Sequence, residues 1–127
     1  MAERRAIRGT SPYEDVMGYC RAVVVGKHVY VAGTAPIPPD GSPPPEGSYE
    51  QTRLCLEIVR RALEQAGAGL EHVVRTRVYL AGPEHFEGMA RAHGEAFADI
   101  RPVNTTVVTS LMDPAWTVEL EVDAVLE

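Results

Sequence analysis

The C-terminal part of the chain shows the clearest pattern of hydrophobic and polar positions. Apolar residues occupy every second position from Val118 to Ala124, and Glu119, Glu121 and Asp123 lie between them. Because side chains of a β-strand alternate between its two faces, this pattern predicts a strand over residues 116–125 with one apolar and one acidic face. The acidic face is expected to meet either water or a second subunit, and the pattern fits both.

Four further strands are predicted from their β-branched and apolar residues. Residues 101–110 are rich in Val and Thr, and residues 72–80 alternate between apolar and polar side chains. The apolar runs 21–25 and 28–33 are separated only by a Gly-Lys pair, which is typical of a β-hairpin because glycine adopts positive φ in the turn. A short edge strand is expected near residues 6–8.

Two helices are predicted from apolar residues at helical spacing. The first is expected to begin at a capping box formed by Ser48 and Gln51 and to run to Ala66 before Gly67, and the second to begin near Pro83. Their buried stripes are expected to be Leu54, Cys55, Ile58, Val59, Ala62, Leu63 and Ala66 in the first helix and Phe86, Met89, Ala90, His93 and Phe97 in the second.

The order of these elements predicts one α+β domain over residues 1–127. Both helices are expected on one face of a mixed sheet, which leaves the other face for a partner, and a cyclic homo-oligomer would cover it. Residues 34–47 contain six prolines and are expected to form a mobile surface loop over a cleft.

Charge and composition narrow the classes of partner. The chain carries 18 acidic and 12 basic residues, a net charge of −6, which argues against nucleic acid or an anionic membrane as the main partner. No apolar run is long enough to span a bilayer, and the N-terminus does not resemble a signal peptide. A cytoplasmic protein is expected, with Cys20 and Cys55 as free thiols.

Familiar catalytic motifs are not found in the sequence. There is no Gly-x-Ser-x-Gly, Cys-x-x-Cys or Gly-x-Gly-x-x-Gly, so no cofactor is expected. His85, Met89 and His93 share a helix face, but no neighbouring residue completes a ligand set, so no metal is expected either.

The polar residues at strand ends are the candidates for a small-molecule site. An arginine can bind a carboxylate with two hydrogen bonds, and a carboxylate in a cleft can orient or deprotonate a water. Each of these residues taken alone also has a purely structural interpretation. The candidates are Tyr19, Arg21, Asn104, Thr106, Trp116 and Glu119.

Several short segments, in order and at matching separations, resemble the RidA/YjgF family over nearly the full chain. They are Gly18-Tyr19-Cys20-Arg21-Ala22 with Gly26, Val31-Ala32-Gly33-Thr34-Ala35-Pro36, Gln51-Thr52-Arg53, Ala66-Gly67 with Leu70 to Leu80, the strand after Pro102, and Val118-Glu119-Leu120-Glu121.

The resemblance implies a chorismate mutase-like fold and a homotrimer with ligand clefts between subunits. It also implies cofactor-free deamination of reactive enamines and imines to 2-oxo acids and ammonia. By this resemblance Glu119 positions a water, while Tyr19 and Gly33 line the pocket and Thr106 stands where cysteine is common.

Asn104 departs from the family, because it occupies the position of an arginine that binds the substrate carboxylate. The loss of that charge removes a strong and directional contact, so the expected substrate is a small reactive imine or amide-like metabolite other than a 2-imino acid. Arg21 or Arg101 could supply a replacement charge. The alternatives are a non-catalytic metabolite-binding or structural trimer and, least favoured, a ribonuclease or translation inhibitor.

Overall fold

The computed structural model describes residues 3–127, which form one six-stranded sheet and three α-helices. The strands are β1 (Arg4–Ile7), β2 (Ala22–Val25), β3 (His28–Thr34), β4 (Val73–Leu80), β5 (Val103–Val108) and β6 (Val118–Val125), and the helices are α1 (Tyr13–Met17), α2 (Ser48–Gln65) and α3 (Phe86–Phe97). Short 3-10 turns, Leu70–His72 and Pro83–His85, precede β4 and α3.

The sheet has the strand order β1-β2-β3-β6-β4-β5. Neighbouring strands are antiparallel except β4 and β5, which are parallel and are connected through α3. A parallel pair needs such a crossover, because its second strand must start again at the same end of the sheet. The predicted mixed α+β sheet is therefore confirmed.

The core lies between one face of the sheet and helices α2 and α3. Val118, Leu120 and Val122 of β6 are fully buried, as the alternating pattern predicts, and Val59 and Leu63 of α2 are fully buried in the same cluster. Burying one such side chain contributes roughly 1.5–3 kcal/mol, so this face holds the helices against the sheet.

The start of α2 differs from the prediction. Ser48 lies inside the helix, Gly47 occupies the N-cap position with a φ of 84°, and no side chain caps the helix. Ser48, Gln51 and Thr52 are buried instead, which turns the buried stripe so that it includes Leu56 and leaves Leu54 and Ile58 only half-buried. The predicted capping box is therefore wrong.

The buried stripe of α3 is also shifted from the predicted one. Met89 and Phe97 are buried as predicted, but Phe86 is 51% exposed and Ala92 is buried. Phe86 directly follows the Pro83–His85 turn, so it starts the helix at its outer end instead of packing into the core.

Several predicted boundaries shift, and one helix was missed. Strand β6 begins at Val118, because the amide of Thr117 donates to Gln51 Oε1 (2.8 Å) outside the sheet. Strand β5 begins at Val103, after Arg101 has taken a φ of 57°. The segment before Gly18, expected to be irregular apart from an edge strand, contains helix α1.

The sheet face that points away from the helices carries paired charges. Tyr79 donates to Glu121 Oε1 (2.6 Å), and the Arg77 guanidinium lies 3.3 Å from Glu121 and 3.5 Å from Asp123. The carboxylates of β6 on this face are thus paired with the arginine and tyrosine side chains of β4. Exposed Tyr30, Val103 and Val107 lie at the flanks of this face, which we call the open face.

The proline-rich loop is fastened at two points. Pro36 is fully buried, and the carbonyl of Pro45 accepts a 2.9 Å hydrogen bond from Gln51 Nε2. Between them, Ser42 donates to Asp40 Oδ1 and Gly41 has a φ of 82°. The mobility of this loop stays a prediction. Within residues 3–127 no helix is long and apolar enough to cross a membrane.

Candidate functional site

Glu119 lies at the start of β6, where its carboxylate approaches Gly33 of β3. A Cβ atom on Gly33 would come within 2.8 Å of Glu119 Oε2, a contact that real side chains do not make. The β3–β6 pairing is irregular between Val31 and Thr34, which places Gly33 in this bulge. Glycine at this position therefore leaves the space that the carboxylate occupies.

Arg21 lies on the other side of the same bulge. Its Nη2 donates to the carbonyls of Ala32 and Gly33, both at 2.8 Å, while its buried Nε has no hydrogen-bond partner among residues 3–127. Burial lowers the pKa of Arg21, yet a guanidinium stays charged in proteins. Arg21 thus holds a fixed positive charge close to Glu119.

Burial shifts the protonation equilibrium of Glu119. Burial raises the pKa of this carboxyl, and although Arg21 lowers it and Glu121 raises it further, the direction is upward. A carboxylate whose pKa is raised above its ordinary value is a stronger base, which suits it to take a proton from a bound water.

Tyr19 lies on the open side of this cluster. Its ring is 37% exposed, its hydroxyl donates to Ser11 Oγ at 3.4 Å, and it lines an open depression of about 830 Å³ on the open face. Arg21, Gly33 and Glu119 do not line that depression. The four residues are neighbours, but the single chain does not enclose them in one cavity.

Helix α1 is held beside Tyr19 by Glu14, which sequence reasoning missed. The carboxylate of Glu14 is 3% exposed and accepts the amide of Gly9 at 2.9 Å and Arg8 Nε at 3.1 Å. Its partners lie in a segment without periodicity, so no local pattern could reveal that it is buried.

Asn104 and Thr106 lie on edge strand β5, where they bond to each other. Thr106 Oγ1 donates to Asn104 Oδ1 (2.9 Å), and Asn104 Nδ2 donates to Thr76 Oγ1 (3.0 Å) on β4. The bond to buried Thr76 places Asn104 on the helix-covered face of the sheet, whereas alternation places Glu119 on the opposite one.

These two groups of residues are well separated within one chain. Strand β4 lies between β5 and β6, and Glu119 is level with Val107, three residues beyond Asn104. With about 4.8 Å between strands and about 3.3 Å per residue, the Cα atoms of Asn104 and Glu119 are roughly 14 Å apart. The chain alone does not bring Asn104 together with Glu119.

Trp116 is half-buried in the loop before β6, although the sequence predicted that the strand begins at this residue. Gln51 fastens this loop to α2, because its Nε2 donates to the Ala115 carbonyl (3.0 Å) and its Oε1 accepts from the amide and hydroxyl of Thr117 (2.8 and 2.9 Å). Gln51 therefore takes no part in capping α2. No local sequence pattern could link it to Ala115 and Thr117, which lie far along the chain.

The two cysteines differ in their surroundings, because Cys55 is buried and Cys20 is half-buried. Cys20 and Cys55 are both free, as predicted, and burial raises the pKa of the Cys55 thiol, so Cys55 is protonated. Residues 3–127 contain no group of three or more His, Cys, Asp or Glu side chains arranged to hold a metal ion.

Comparison with known proteins places this fold and these residues in a family. The family model described as Endoribonuclease L-PSP matches residues 10–126. An uncharacterized protein of Streptomyces coelicolor is 38% identical over 121 residues, covering 94% of this chain and 90% of the relative. A RutC family protein of Pyrococcus abyssi is 34% identical over 110 residues, covering 86% and 87%.

A solved structure gives the same result. A member of the YjgF/YER057c/UK114 family from Mycobacterium tuberculosis superposes with a TM-score of 0.88 at 37% identity, covering 97% of this chain and 99% of the other. The family predicted from the short sequence segments is thus confirmed, and the chain belongs to the RidA/YjgF family, whose matching model is described as Endoribonuclease L-PSP.

Proposed function

We propose that this protein catalyses the hydrolysis of a small reactive imine or a related amide-like metabolite, without a cofactor, in clefts between the subunits of a homotrimer. The observation that supports this most is Glu119, a half-buried carboxylate whose pKa is raised by burial beside the Gly33 bulge and the Arg21 guanidinium. We expect the protein to act in the cytoplasm.

The reaction needs one group that moves a proton twice. Glu119 takes a proton from water as the water oxygen bonds to the imine carbon, and the nitrogen gains a proton to give a carbinolamine. Glu119 then assists the transfer of the hydroxyl proton to the amino group, the C–N bond breaks, and ammonia leaves with a carbonyl product. Atoms and charges balance without an oxidant, a reductant or a metal.

A second copy of the chain would complete the cleft. Asn104 and Thr106 are about 14 Å from Glu119 within one chain, and they lie at the free edge of the sheet. A neighbouring subunit that packs on the open face would bring its own β5 edge toward Tyr19 and Glu119. Exposed Val103 and Val107 are suited to such a contact.

The test is turnover on freshly generated imines by the purified protein. Glu119→Gln should reduce turnover at least a hundredfold, the lower range for removing a positioned acid–base group. Glu87→Gln is the control, because this exposed glutamate lies in α3 on the helix-covered side of the sheet, away from Glu119, and should be dispensable. The assignment fails if Glu119→Gln turns over as fast as the wild type.

Comparison of 2-iminopropanoate turnover by the wild type and by Asn104→Arg tests the role of Asn104. An inactive wild type with an active variant would indicate that the scaffold is competent and that its natural substrate lacks the carboxylate. An active wild type would indicate that another residue, Arg21 first, binds the carboxylate.

The uncharged Asn104 also favours a second candidate, a metabolite-binding trimer without turnover. Ligand binding without product formation across a panel of imines and amides would support it. An endoribonuclease, the activity in the description of the family model, is least favoured because the chain has a net charge of −6. Salt-sensitive RNA binding by the purified protein would support the endoribonuclease.

A further inference from the structure

A chain of hydrogen bonds joins helix α3 to the edge of the sheet. His93 Nε2 lies 2.9 Å from Thr76 Oγ1, Asn104 Nδ2 donates to Thr76 Oγ1 at 3.0 Å, and Thr106 Oγ1 donates to Asn104 Oδ1 at 2.9 Å. Thr76 is fully buried and His93 is half-buried, whereas Asn104 is exposed. The chain therefore leads from the interior to the solvent-accessible edge.

The direction of these hydrogen bonds is determined at Thr76. Asn104 Nδ2 also faces the backbone carbonyl of Thr76 at 3.5 Å, and because a carbonyl only accepts, the amide nitrogen must be on that side. Thr76 Oγ1 then accepts from Asn104 and has its own proton left to donate to His93 Nε2. In this arrangement His93 is neutral and carries its proton on Nδ1, and burial lowers the pKa of His93, which favours the neutral ring.

The consequence is an amide group with fixed orientation at the substrate end of the chain. Asn104 Nδ2 contacts both Thr76 Oγ1 (3.0 Å) and the Thr76 carbonyl (3.5 Å); one N–H shared between these two acceptors leaves the second N–H for a ligand, and Oδ1 keeps one lone pair after accepting from Thr106. Asn104 therefore offers one donor beside one acceptor. A carboxylate has acceptors only and leaves that Oδ1 lone pair opposed to its own, whereas a carboxamide or ureido group has one donor and one acceptor and pairs with both.

We propose that Asn104, oriented by the positioning residues Thr76 and His93, recognises a neutral carboxamide or ureido group of the substrate at the position where the family resemblance implies an arginine and a bound carboxylate. The proposal rests on the proposed function in that it names the substrate class of the same cleft. It explains why a half-buried histidine and a buried threonine are aligned on an exposed asparagine at the edge of the sheet.

The experiment compares two probes with the same carbon skeleton, 2-oxopropanamide and 2-oxopropanoate, by NMR titration of the full-length protein. Binding is followed through the backbone amide signals of strand β5, which the wild type and the variants share, without any turnover. The amide should bind about tenfold more tightly than the acid, and Asn104→Arg should reverse the preference. Equal affinity, a preference for the acid, or no shift with either probe up to its solubility limit would overturn the proposal.

Paired variants separate orientation from simple structural support. Thr76→Val and His93→Phe keep the shape but remove the hydroxyl or the ring nitrogen, and each should reduce the preference to less than threefold; Thr76→Ser and His93→Gln keep a partner and should retain it. If Thr76→Val does not fold, His93→Phe decides. Full preference in both truncated variants, or a proton on His93 Nε2 in long-range ¹⁵N spectra of the wild type, would contradict the proposal.

The Glu119→Gln variant distinguishes a failure of this inference from a failure of the proposed function. It should abolish turnover and leave the preference for the amide probe intact, because Glu119 is not part of the chain from His93 to Thr106. Amide preference without any turnover would refute the hydrolase and leave this inference standing. Turnover that depends on Glu119, together with equal affinity for the two probes, would refute this inference and leave the hydrolase proposal standing.

Discussion

Replacing Glu14 by Gln should destabilise the N-terminal segment that carries Tyr19. The Glu14 carboxylate is 3% exposed, and the Gly9 amide donates to both of its oxygens, at 2.9 and 3.1 Å. Glutamine is nearly isosteric, so the substitution removes the charge and one acceptor while the packing stays the same. Any loss of stability then reports on the buried carboxylate itself.

The expected magnitude follows from that hydrogen bond. A hydrogen bond to a buried charged group contributes about 1.5–3 kcal/mol, and a neutral one about 0.5–1.5 kcal/mol. Glutamine can keep the neutral bond to Gly9, so the substitution should cost about 1–2 kcal/mol of a total of roughly 5–15 kcal/mol. For a domain of this size that corresponds to a decrease in melting temperature of about 4–8 °C.

Asp15→Asn is the matched control for Glu14→Gln. Asp15 is the next residue of α1 and also pairs with Arg8, at 2.7 Å, but its side chain is 86% exposed. An exposed ion pair contributes little to protein stability because water screens its charges, so this variant should have the same free energy of unfolding as the wild type. Urea unfolding measures both variants at one fixed protein concentration, since assembly into the proposed trimer would make the unfolding midpoint depend on concentration. Equal losses in the two variants, or none in Glu14→Gln, would refute the reasoning.

Three other substitutions test the site and the core. Gly33→Ala should lower kcat at least tenfold with an almost unchanged melting temperature, because the new Cβ would lie 2.8 Å from the flexible end of Glu119 and move its carboxylate. Glu119→Gln should increase the free energy of unfolding at pH 8. Burial raises the pKa of Glu119 in the folded state above its unfolded value, so the wild type loses stability when this carboxyl ionises. The difference between the two proteins should vanish below about pH 4, where the carboxyl is protonated in both states. Leu120→Ala, at a fully buried position, should cost about 2–5 kcal/mol in urea unfolding.

The elements that the sequence predicted well depend on near neighbours. The period of two in β6 and the Gly-Lys turn between β2 and β3 are local properties, and the structure has both where the sequence predicts them. The prediction for the start of α2 was wrong because residues far away in the sequence determine that start. Ser48 followed by Gln51 fits a capping box locally, but Gln51 bonds to Pro45, Ala115 and Thr117, and those contacts prevail.

The candidate site was predictable in its residue types and only partly in its geometry. Arg21, Gly33 and Glu119 lie together because a bulge in β3 brings them close, and no spacing in the sequence announces that bulge. Glu14 and His93 were not assigned to the site, because each bonds to residues on another element. His93 was interpreted as one member of a helix stripe, whereas its partner is the Thr76 hydroxyl on β4.

The position of β6 has a consequence for how the protein is made. Strand β6 is the last to be synthesised, yet it lies in the middle of the sheet, between β3 and β4. Before it leaves the ribosome, β1 to β3 can form one meander and β4, α3 and β5 can form a second unit, but neither can bury its apolar face against β6. We therefore expect the sheet to close only after Val118–Val125 have left the ribosome, and we expect a nascent chain that stops before Val118 to depend on chaperones.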